Sequence, residues 1–357
     1  MVGKNYHANE VRWTIFGLLL VLILLSCEQT YPAVHLTDEP FERLSEYHFF
    51  KDQLNQLSPN NRVLPYDLIT PLFSDYALKS RFVWMPPGKT ATVNDVNLLS
   101  FPEGTALIKN FYYPRMDSDH MNIVETRLLV KRSNGWDPLT YIWNEAQDEA
   151  FLEIAGDFKK ITAQDPTGNS FTIDYAIPNK NQCKGCHERS RTVTPVGPTL
   201  KNLNRIYDYP EGSMNQLVKW KEVDYLTGYD MSRDTAKLAD WSDPSTNVHD
   251  RALAYLEVNC GTCHHQEGPA NVSGLRLDSH ESNLFNLGVN KAPVSAGKGS
   301  GGRKYDIVPG KPDESILVYR MQSLEPGAMM PEMGRKLVHK EGVQLIRDWI
   351  TSMPTTE

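Results

Sequence analysis

The chain has few cysteines and lacks an apolar run long enough to span a membrane. Only five of its 357 residues are cysteine. A transmembrane helix needs about 20 consecutive apolar residues, and the uncharged, largely apolar stretch Trp13–Leu25 is shorter than that. A stretch of this length is typical of the central region of an export signal peptide.

Positive charge is also not in excess. The chain carries 37 Lys and Arg against 44 Asp and Glu, for a formal net charge of −7. No basic cluster with interleaved aromatic residues is present, and no repeat of fixed period is visible. Because binding to nucleic acid rests on neutralising phosphates, the composition argues against a nucleic-acid partner.

Four of the five cysteines occur in two copies of the pentapeptide CxxCH, at Cys183–His187 and Cys260–His264. Two thiols three positions apart can add to the two vinyl groups of one porphyrin, and the adjacent His can then bind the iron. The motifs predict two covalently bound c-type haems. The predicted attachment residues are Cys183, Cys186, Cys260 and Cys263, with His187 and His264 as the proximal iron ligands.

Two other kinds of site use paired cysteines, namely a zinc site of four thiolates and a pair of redox disulfides. The gap between Cys186 and Cys260 far exceeds the roughly 15–20 residues that separate the pairs of a zinc ribbon. A His directly follows both second cysteines, and no βαβ pattern surrounds either pair, which disfavours redox disulfides.

The fifth cysteine, Cys27, follows the apolar stretch, which Lys4 and Arg12 precede. The segment ending in Ser26 and Cys27 resembles a bacterial lipobox. This resemblance implies a signal peptide over residues 1–26, lipidation of Cys27, and a protein anchored by lipid on the periplasmic or cell-surface side of a membrane. The alternative is an uncleaved anchor helix with a free Cys27, and in both cases we expect an exported, membrane-tethered protein.

The pattern along the chain predicts several domains. Residues 27–45 are polar and are expected to form a tether, and residues 46–205 a β-rich domain that ends with the first haem motif. A helical linker over 206–245 and a second domain over 246–357 follow. Predicted strands include Ser80–Trp84, Ala106–Tyr113, Ile123–Lys131, Leu139–Trp143 and Ser170–Ile177, and predicted helices include Ser213–Val223, Val248–Asn259 and Lys340–Ser352.

The second half has a helix, the motif CGTCH, the loop Gly274–Asp278, the stretch Val308–Ser315, a Met-Pro pair and a terminal helix. This order resembles a class I cytochrome c domain of the bacterial dehydrogenase-associated type, and it implies an all-α domain. The expected fold class is therefore α+β multidomain, with a β-rich N-terminal domain that ends in a c-haem motif and an all-α, class I cytochrome c-like domain after it.

The same resemblance implies a methionine as the sixth ligand of the second haem. The thioether is a soft, neutral ligand that raises the reduction potential of haem iron. Met330, directly before Pro331, is the predicted ligand, with Met329 and Met333 as alternatives. His265 is expected at the haem edge or in solvent.

In the first half, Phe101–Lys109 resembles the strand motif of cytochrome P460-type β domains. A Lys modifies the haem in that family and Lys109 lies in the motif, although a surface lysine with a buried stem is the more common arrangement. The sequence does not assign the sixth ligand of the first haem. Its candidates are Met85, Met116, His120, Met121, Met214 and Met231, or no protein ligand at all.

Together with Gly197-Pro198 and Leu203-Asn204-Arg205 after the first haem motif, these features resemble a family of exported bacterial dihaem cytochromes whose role is not defined by the family. Our leading hypothesis is an electron carrier rather than an enzyme, which moves electrons from an exported dehydrogenase or quinol-side donor to other cytochromes or a terminal oxidase. The alternatives are a P460-like or peroxidase-like haem oxidoreductase with an open first haem, and a haem sensor or structural subunit.

Overall fold

The computed structural model describes residues 30–93, 98–115, 121–230 and 236–355. The predicted signal peptide and the predicted lipidation site Cys27 lie outside these ranges, as do the ligand candidates Met116, His120 and Met231. Residues from Val34 onward form one compact unit. A search of the described residues finds no helix with the length and apolar character needed to cross a membrane.

Short and medium-length strands run through the first two thirds of the chain. In order, they are β1 Phe50–Lys51, β2 Ser58–Pro59, β3 Leu64–Tyr66, β4 Leu78–Trp84, β5 Ala91–Val93, β6 Leu99–Ser100, β7 Ala106–Pro114, β8 Met121–Arg132, β9 Gly135–Trp143, β10 Ala150–Glu153, β11 Asp157–Gln164, β12 Ser170–Ile177, β13 Glu188–Arg189, β14 Thr192–Val193, β15 Ile206–Tyr209, β16 Gly212–Asn215 and β17 Leu226–Thr227.

Six α-helices are found in the described residues, all after β12. They are α1 Lys180–His187, α2 Leu200–Leu203, α3 Gln216–Glu222, α4 Val248–Leu256, α5 Ile316–Gln322 and α6 Lys340–Ser352. Of the predicted elements, Ser170–Ile177 and Lys340–Ser352 have the predicted bounds. The predicted helix Ser213–Val223 is shorter, because residues up to Asn215 belong to β16.

The central sheet has six antiparallel strands in the order β10-β9-β8-β7-β4-β3. Side chains of a strand alternate between the two faces of its sheet. Ile108 of β7 packs with Phe82 and Tyr141 in one apolar cluster, whereas its neighbour Leu107 packs with Val83 in another. Both faces of the sheet are therefore covered, which explains the apolar runs in its strands.

The predicted fold class is wrong. The described residues are β-rich, with about 22% helix and several sheets, and no all-α class I cytochrome c domain is evident among them. Between α4 and α6 the described chain has the π-helical turn Glu257–Gly261, the seven-residue helix α5, short 3₁₀ turns and loops. Glycines with positive φ, such as Gly301, Gly310 and Gly327, interrupt helical conformation here.

Several contacts join residues after 246 to the β-rich part. The Asp75 carboxylate accepts hydrogen bonds from the backbone N–H groups of Lys336 and Leu337, both at 2.7 Å. The rings of Phe73 and His339 stack with centroids 4.2 Å apart. The segment around α6 therefore buries part of its surface against the β-rich part, so it does not need to form the separate core of an independent all-α domain. The domain boundaries at residues 46–205, 206–245 and 246–357 stay a prediction.

Candidate functional site

The first CxxCH motif lies on the helix α1, and a hairpin follows it. Asn179 caps the helix, because its side chain accepts a hydrogen bond from Gln182 N at 2.9 Å. In return, the Gln182 side chain accepts a hydrogen bond from Asn179 N at 2.9 Å. The helix carries Cys183 and Cys186 and ends at His187. The β13–β14 hairpin then returns the chain, so that Thr194 O lies 2.9 Å from His187 Nδ1.

The second motif follows α4 through a π-helical turn, Glu257–Gly261, which contains Cys260. The Ser273 hydroxyl lies 3.0 Å from His264 Nδ1 and donates to Ala270 O at 2.7 Å. Since the hydroxyl proton is used on Ala270, the Ser273 oxygen accepts from a protonated Nδ1. This tautomer leaves His264 Nε2 unprotonated.

Both histidines are neutral at physiological pH. Burial lowers the pKa of His187 to about 4, and the charges of Lys109 and Arg127 lower it as well. Burial also lowers the pKa of His264 to about 4, together with Arg320 and Arg276. A neutral imidazole whose Nδ1 is fixed by a hydrogen bond is the form that ligates a metal through Nε2.

The two motifs meet in space although they are far apart in sequence. Hydrogen bonding between the thiols of Cys186 and Cys263 raises the pKa of Cys186 and lowers that of Cys263. Beside this contact, Ser190 N donates to Glu267 O at 3.0 Å. The Glu267 carboxylate also pairs with Arg189 and accepts from the Ser190 hydroxyl at 3.2 Å. The structure therefore brings the segments that follow the two motifs into direct contact.

The methionine loop, residues 328–333, lies next to both motifs. A Cβ added at Gly185 of the first motif would be 3.1 Å from Met333 Cε, and the charge of Glu332 acts on the Cys263 thiol of the second. Arg335, which is buried, holds the loop by donating from Nη2 to Met330 O at 2.9 Å. The assignment of Met330 as ligand stays a prediction, as do its alternatives Met329 and Met333.

The described candidates for the sixth position of the first haem lie in apolar clusters. Met85 is fully buried among the residues around Trp220, and Met214 packs against the same cluster. Met121 packs against the cluster on the other face of the sheet. Each makes the contacts of a core methionine, so the structure singles out none of them as a ligand.

The donor set fits a c-type haem better than a zinc ion. In the described residues, no group of three or more His, Cys, Asp or Glu side chains is arranged to hold a metal ion. A pair of free cysteines beside an oriented, neutral His suits covalent attachment of a porphyrin.

Several residues that shape this site carry no signal in the sequence. Thr194 acts through its backbone carbonyl, which any residue could supply. Ser273, Glu267 and Arg335 are ordinary polar residues, and no short pattern marks the partners that give them a role. Only an expectation that each ligating His needs a partner for its second ring nitrogen could have prompted a search for Ser273.

No protein-family model matches the chain, and neither any curated protein nor any solved structure matches it. Its function is therefore inferred from its own residues and their geometry.

Proposed function

We propose that the protein is a dihaem c-type electron-transfer protein whose two haems form one close pair. The single observation that carries the proposal is the contact between the segments that follow the two CxxCH motifs, where Ser190 N donates to Glu267 O at 3.0 Å. Electron tunnelling slows steeply with distance. Two attachment sites in contact therefore suit a relay between redox partners better than two independent centres would.

The chain's own residues have distinct roles in this proposal. Cys183 and Cys186 would hold one haem, and Cys260 and Cys263 would hold the other. Each haem, when bound, would supply one iron that can be ferric or ferrous. His187 and His264 would bind the irons through Nε2. Their Nδ1 atoms stay engaged with Thr194 O and Ser273 Oγ, so the rings do not have to reorient when the iron changes charge.

Contacts between the motifs would keep the distance between the haems constant. Glu267 follows the second motif closely and bonds to Arg189 and Ser190, which follow the first. A backbone hydrogen bond and an ion pair at the same place restrain both separation and orientation. We propose that donor and acceptor are exported redox proteins, an exported dehydrogenase or quinol-side donor and another cytochrome or terminal oxidase.

The proposal is tested on the full-length protein matured in a host that attaches haem c. Haem content is measured, and oxidised and reduced spectra are recorded with and without carbon monoxide. We expect two haems per chain, neither of which binds carbon monoxide. Fewer than two haems would contradict the proposal, and carbon monoxide binding to one of two haems would favour the alternative of an oxidoreductase with an open first haem.

The contact between the motifs is tested by the magnetic interaction of the two ferric haems in electron paramagnetic resonance. We expect coupled signals in the parent protein and weaker coupling in Glu267→Ala. Glu314→Ala is the matched control, because Glu314 forms an exposed pair with Lys311 away from the motifs. Two uncoupled signals in the parent protein would contradict a close pair.

The ligands are tested one haem at a time. Met330→Ala should change the spectrum and lower the potential of the second haem, whereas Met329→Ala and Met333→Ala should change neither. His187→Ala should disturb the first haem alone. A Met330→Ala protein with an unchanged second haem would contradict the assignment of Met330.

A further inference from the structure

Three basic residues lie side by side in the middle of the central sheet. Arg81 of β4 pairs in register with Lys109 of β7, and Lys109 pairs with Arg127 of β8. Directly paired residues point to the same face, so these side chains form one row, which we call the cation row. Like charges directly opposite one another on neighbouring strands are destabilising, and a row of three requires a physical explanation.

The positive charges converge further around one aromatic ring. Phe111, which is fully buried, lies in the next row of the same face, between Lys79 and Glu125. Lys79 Nζ, Lys109 Nζ and Arg127 Cζ lie 5.9, 4.7 and 4.3 Å from its ring centroid. With Arg81, four cations therefore lie in one small region, which the weak attraction of a single ring does not neutralise.

Carboxylates neutralise only part of this charge. Glu125 pairs with Arg127, and Asp67 pairs with Arg81 but is shared with Arg205. Lys79 Nζ donates to a backbone carbonyl, Leu72 O.

One buried group of the region has no hydrogen-bond partner among the described residues. Nη2 of the buried Arg81 makes no hydrogen bond, and Lys109 Nζ contacts the Phe111 ring. Burial and mutual repulsion lower the pKa of Lys79 to about 7 and that of Lys109 well below its usual range. The two lysines therefore hold their protons weakly, and the region has more hydrogen-bond donors than carboxylates to accept from them.

The cation row begins beside the first CxxCH motif. Thr140 of β9 pairs in register with Arg127. The helix α1, which carries Cys183, packs against β9, where its Lys180 pairs with Asp137. Lys109 and Arg127 are close enough to His187 for their charges to lower its pKa. Neighbouring strands are about 4.8 Å apart, so Lys109 lies two strands, or about 10 Å, from Thr140 along the row.

We propose that the cation row binds the two propionate carboxylates of the first haem, an inference that rests on the proposed function. In a porphyrin, the vinyl groups that react with the cysteines and the two propionates lie at opposite edges. A haem attached at Cys183, beside one end of the row, would direct its propionates along the row toward Lys109 and Arg81. Two carboxylates would accept hydrogen bonds from Lys109 Nζ and from the unpartnered Nη2 of Arg81, and would offset the repulsion between the basic side chains.

The test uses the matured full-length protein and the variants Lys109→Met, Lys79→Met and Arg81→Lys, with Lys160→Met as the matched control because Lys160 is exposed on β11. Resonance Raman spectra report the propionate bending bands, and a potentiometric titration reports both potentials. We expect Lys109→Met to shift the propionate band and lower the potential of one haem, because nearby positive charge favours ferrous iron. Arg81→Lys keeps the charge and should shift the band less.

The outcomes separate this inference from the proposed function. Two haems with propionate bands unchanged in Lys109→Met, Lys79→Met and Arg81→Lys would overturn the inference alone, whereas fewer than two haems in the parent protein would contradict the proposed function. Sulfate is added as a free divalent anion in a further arm. If sulfate binding is lost in Lys109→Met while the propionate bands stay constant, the row serves a free oxyanion and the inference is wrong. A change of axial-ligand bands in Lys109→Met would also overturn it, by making Lys109 an iron ligand.

Discussion

The two CxxCH motifs have the same five-residue pattern but lie in different surroundings. The first rests on the central sheet, beside a row of cations, and its His is oriented by a backbone carbonyl. The second follows a helix in the apolar cluster of α4, α5 and α6, and its His is oriented by a side chain. The motif predicts what is attached, whereas the surroundings determine charge, rigidity and sensitivity to mutation.

This difference predicts how each site responds to change. The first site depends on strand register and on buried charge, so loss of a charge partner should be costly there. The second depends on close packing of loops against a helix, so added volume should be costly there. Four experiments, from the largest expected effect to the smallest, test this contrast.

The largest effect is expected at the first site, from Arg127→Met. Glu125 has no exposed side-chain surface and pairs with Arg127, so the substitution leaves a buried carboxylate without its cation. Breaking a buried pair in this way costs about 3–5 kcal/mol. Urea unfolding of the matured protein measures the loss. Adding Glu125→Gln to Arg127→Met should restore much of the stability, and a double variant no more stable than the single one would contradict the role of the pair.

The next effect contrasts glycines of the two motifs. A Cβ at Gly261 would lie 2.8 Å from Leu277 O, whereas one at Gly185 would meet the flexible end of Met333 at 3.1 Å. The backbone at Leu277 cannot move aside as easily as the end of a methionine side chain. Gly261→Ala should therefore lower the free energy of unfolding by about 1–3 kcal/mol and disturb the second haem. Gly185→Ala, in a helix, should be neutral or stabilising. Thermal unfolding and haem spectra of both variants check this; equal effects would contradict it.

The third effect concerns acid stability at the contact between the sheet part and α6. His339 is buried against the Phe73 ring, with Tyr255 OH at 3.0 Å from Nδ1 and Glu341 Oε2 at 3.6 Å from Nε2. Burial, with a smaller contribution from Lys79, lowers its pKa to about 3 despite the nearby carboxylate.

An unfolded His has a pKa of about 6.5. Between about pH 6.5 and 3, His339 therefore binds a proton in the unfolded chain but not in the folded chain. The stability from neutral His339 is therefore complete above about pH 6.5 and is lost as the pH falls toward 3, at up to about 1.4 kcal/mol per pH unit. Urea unfolding at about pH 6.5, 5.5 and 4.5 measures the slope across this window, and His339→Gln should reduce it. An identical slope in the variant would show that other groups cause the acid loss.

The sequence supported local predictions better than distant ones. The strand Ser170–Ile177 and the helix Lys340–Ser352 have strong periodicity, and both are confirmed with their bounds. The prediction of an all-α second domain is wrong, because the motif order says nothing about the loops between α4 and α6 or about Asp75, which holds Lys336 and Leu337 against the sheet part. Such contacts depend on partners that are far apart along the chain.

The candidate site shows the same division. The two CxxCH motifs are visible as short patterns, and the attachment residues follow from them as predictions. The contact between the two motif segments and the cation row are not visible in the sequence, because they depend on packing and on strand register. Arg81, Lys109 and Arg127 are ordinary residues in sequence, and only the pairing of β4 with β7 and of β7 with β8 makes them neighbours.

The smallest effect tests how each His is oriented. Ser273→Ala removes the side-chain oxygen that accepts from His264 Nδ1, whereas Thr194→Ala leaves the backbone carbonyl beside His187 in place. A ring nitrogen that donates a hydrogen bond makes the imidazole a stronger electron donor to iron, so losing the acceptor should raise the potential of the second haem. Thr194→Ala should shift neither potential by a comparable amount. Potentiometric titration measures both; a shift in Thr194→Ala as large as that in Ser273→Ala would show that the two histidines do not differ in this way.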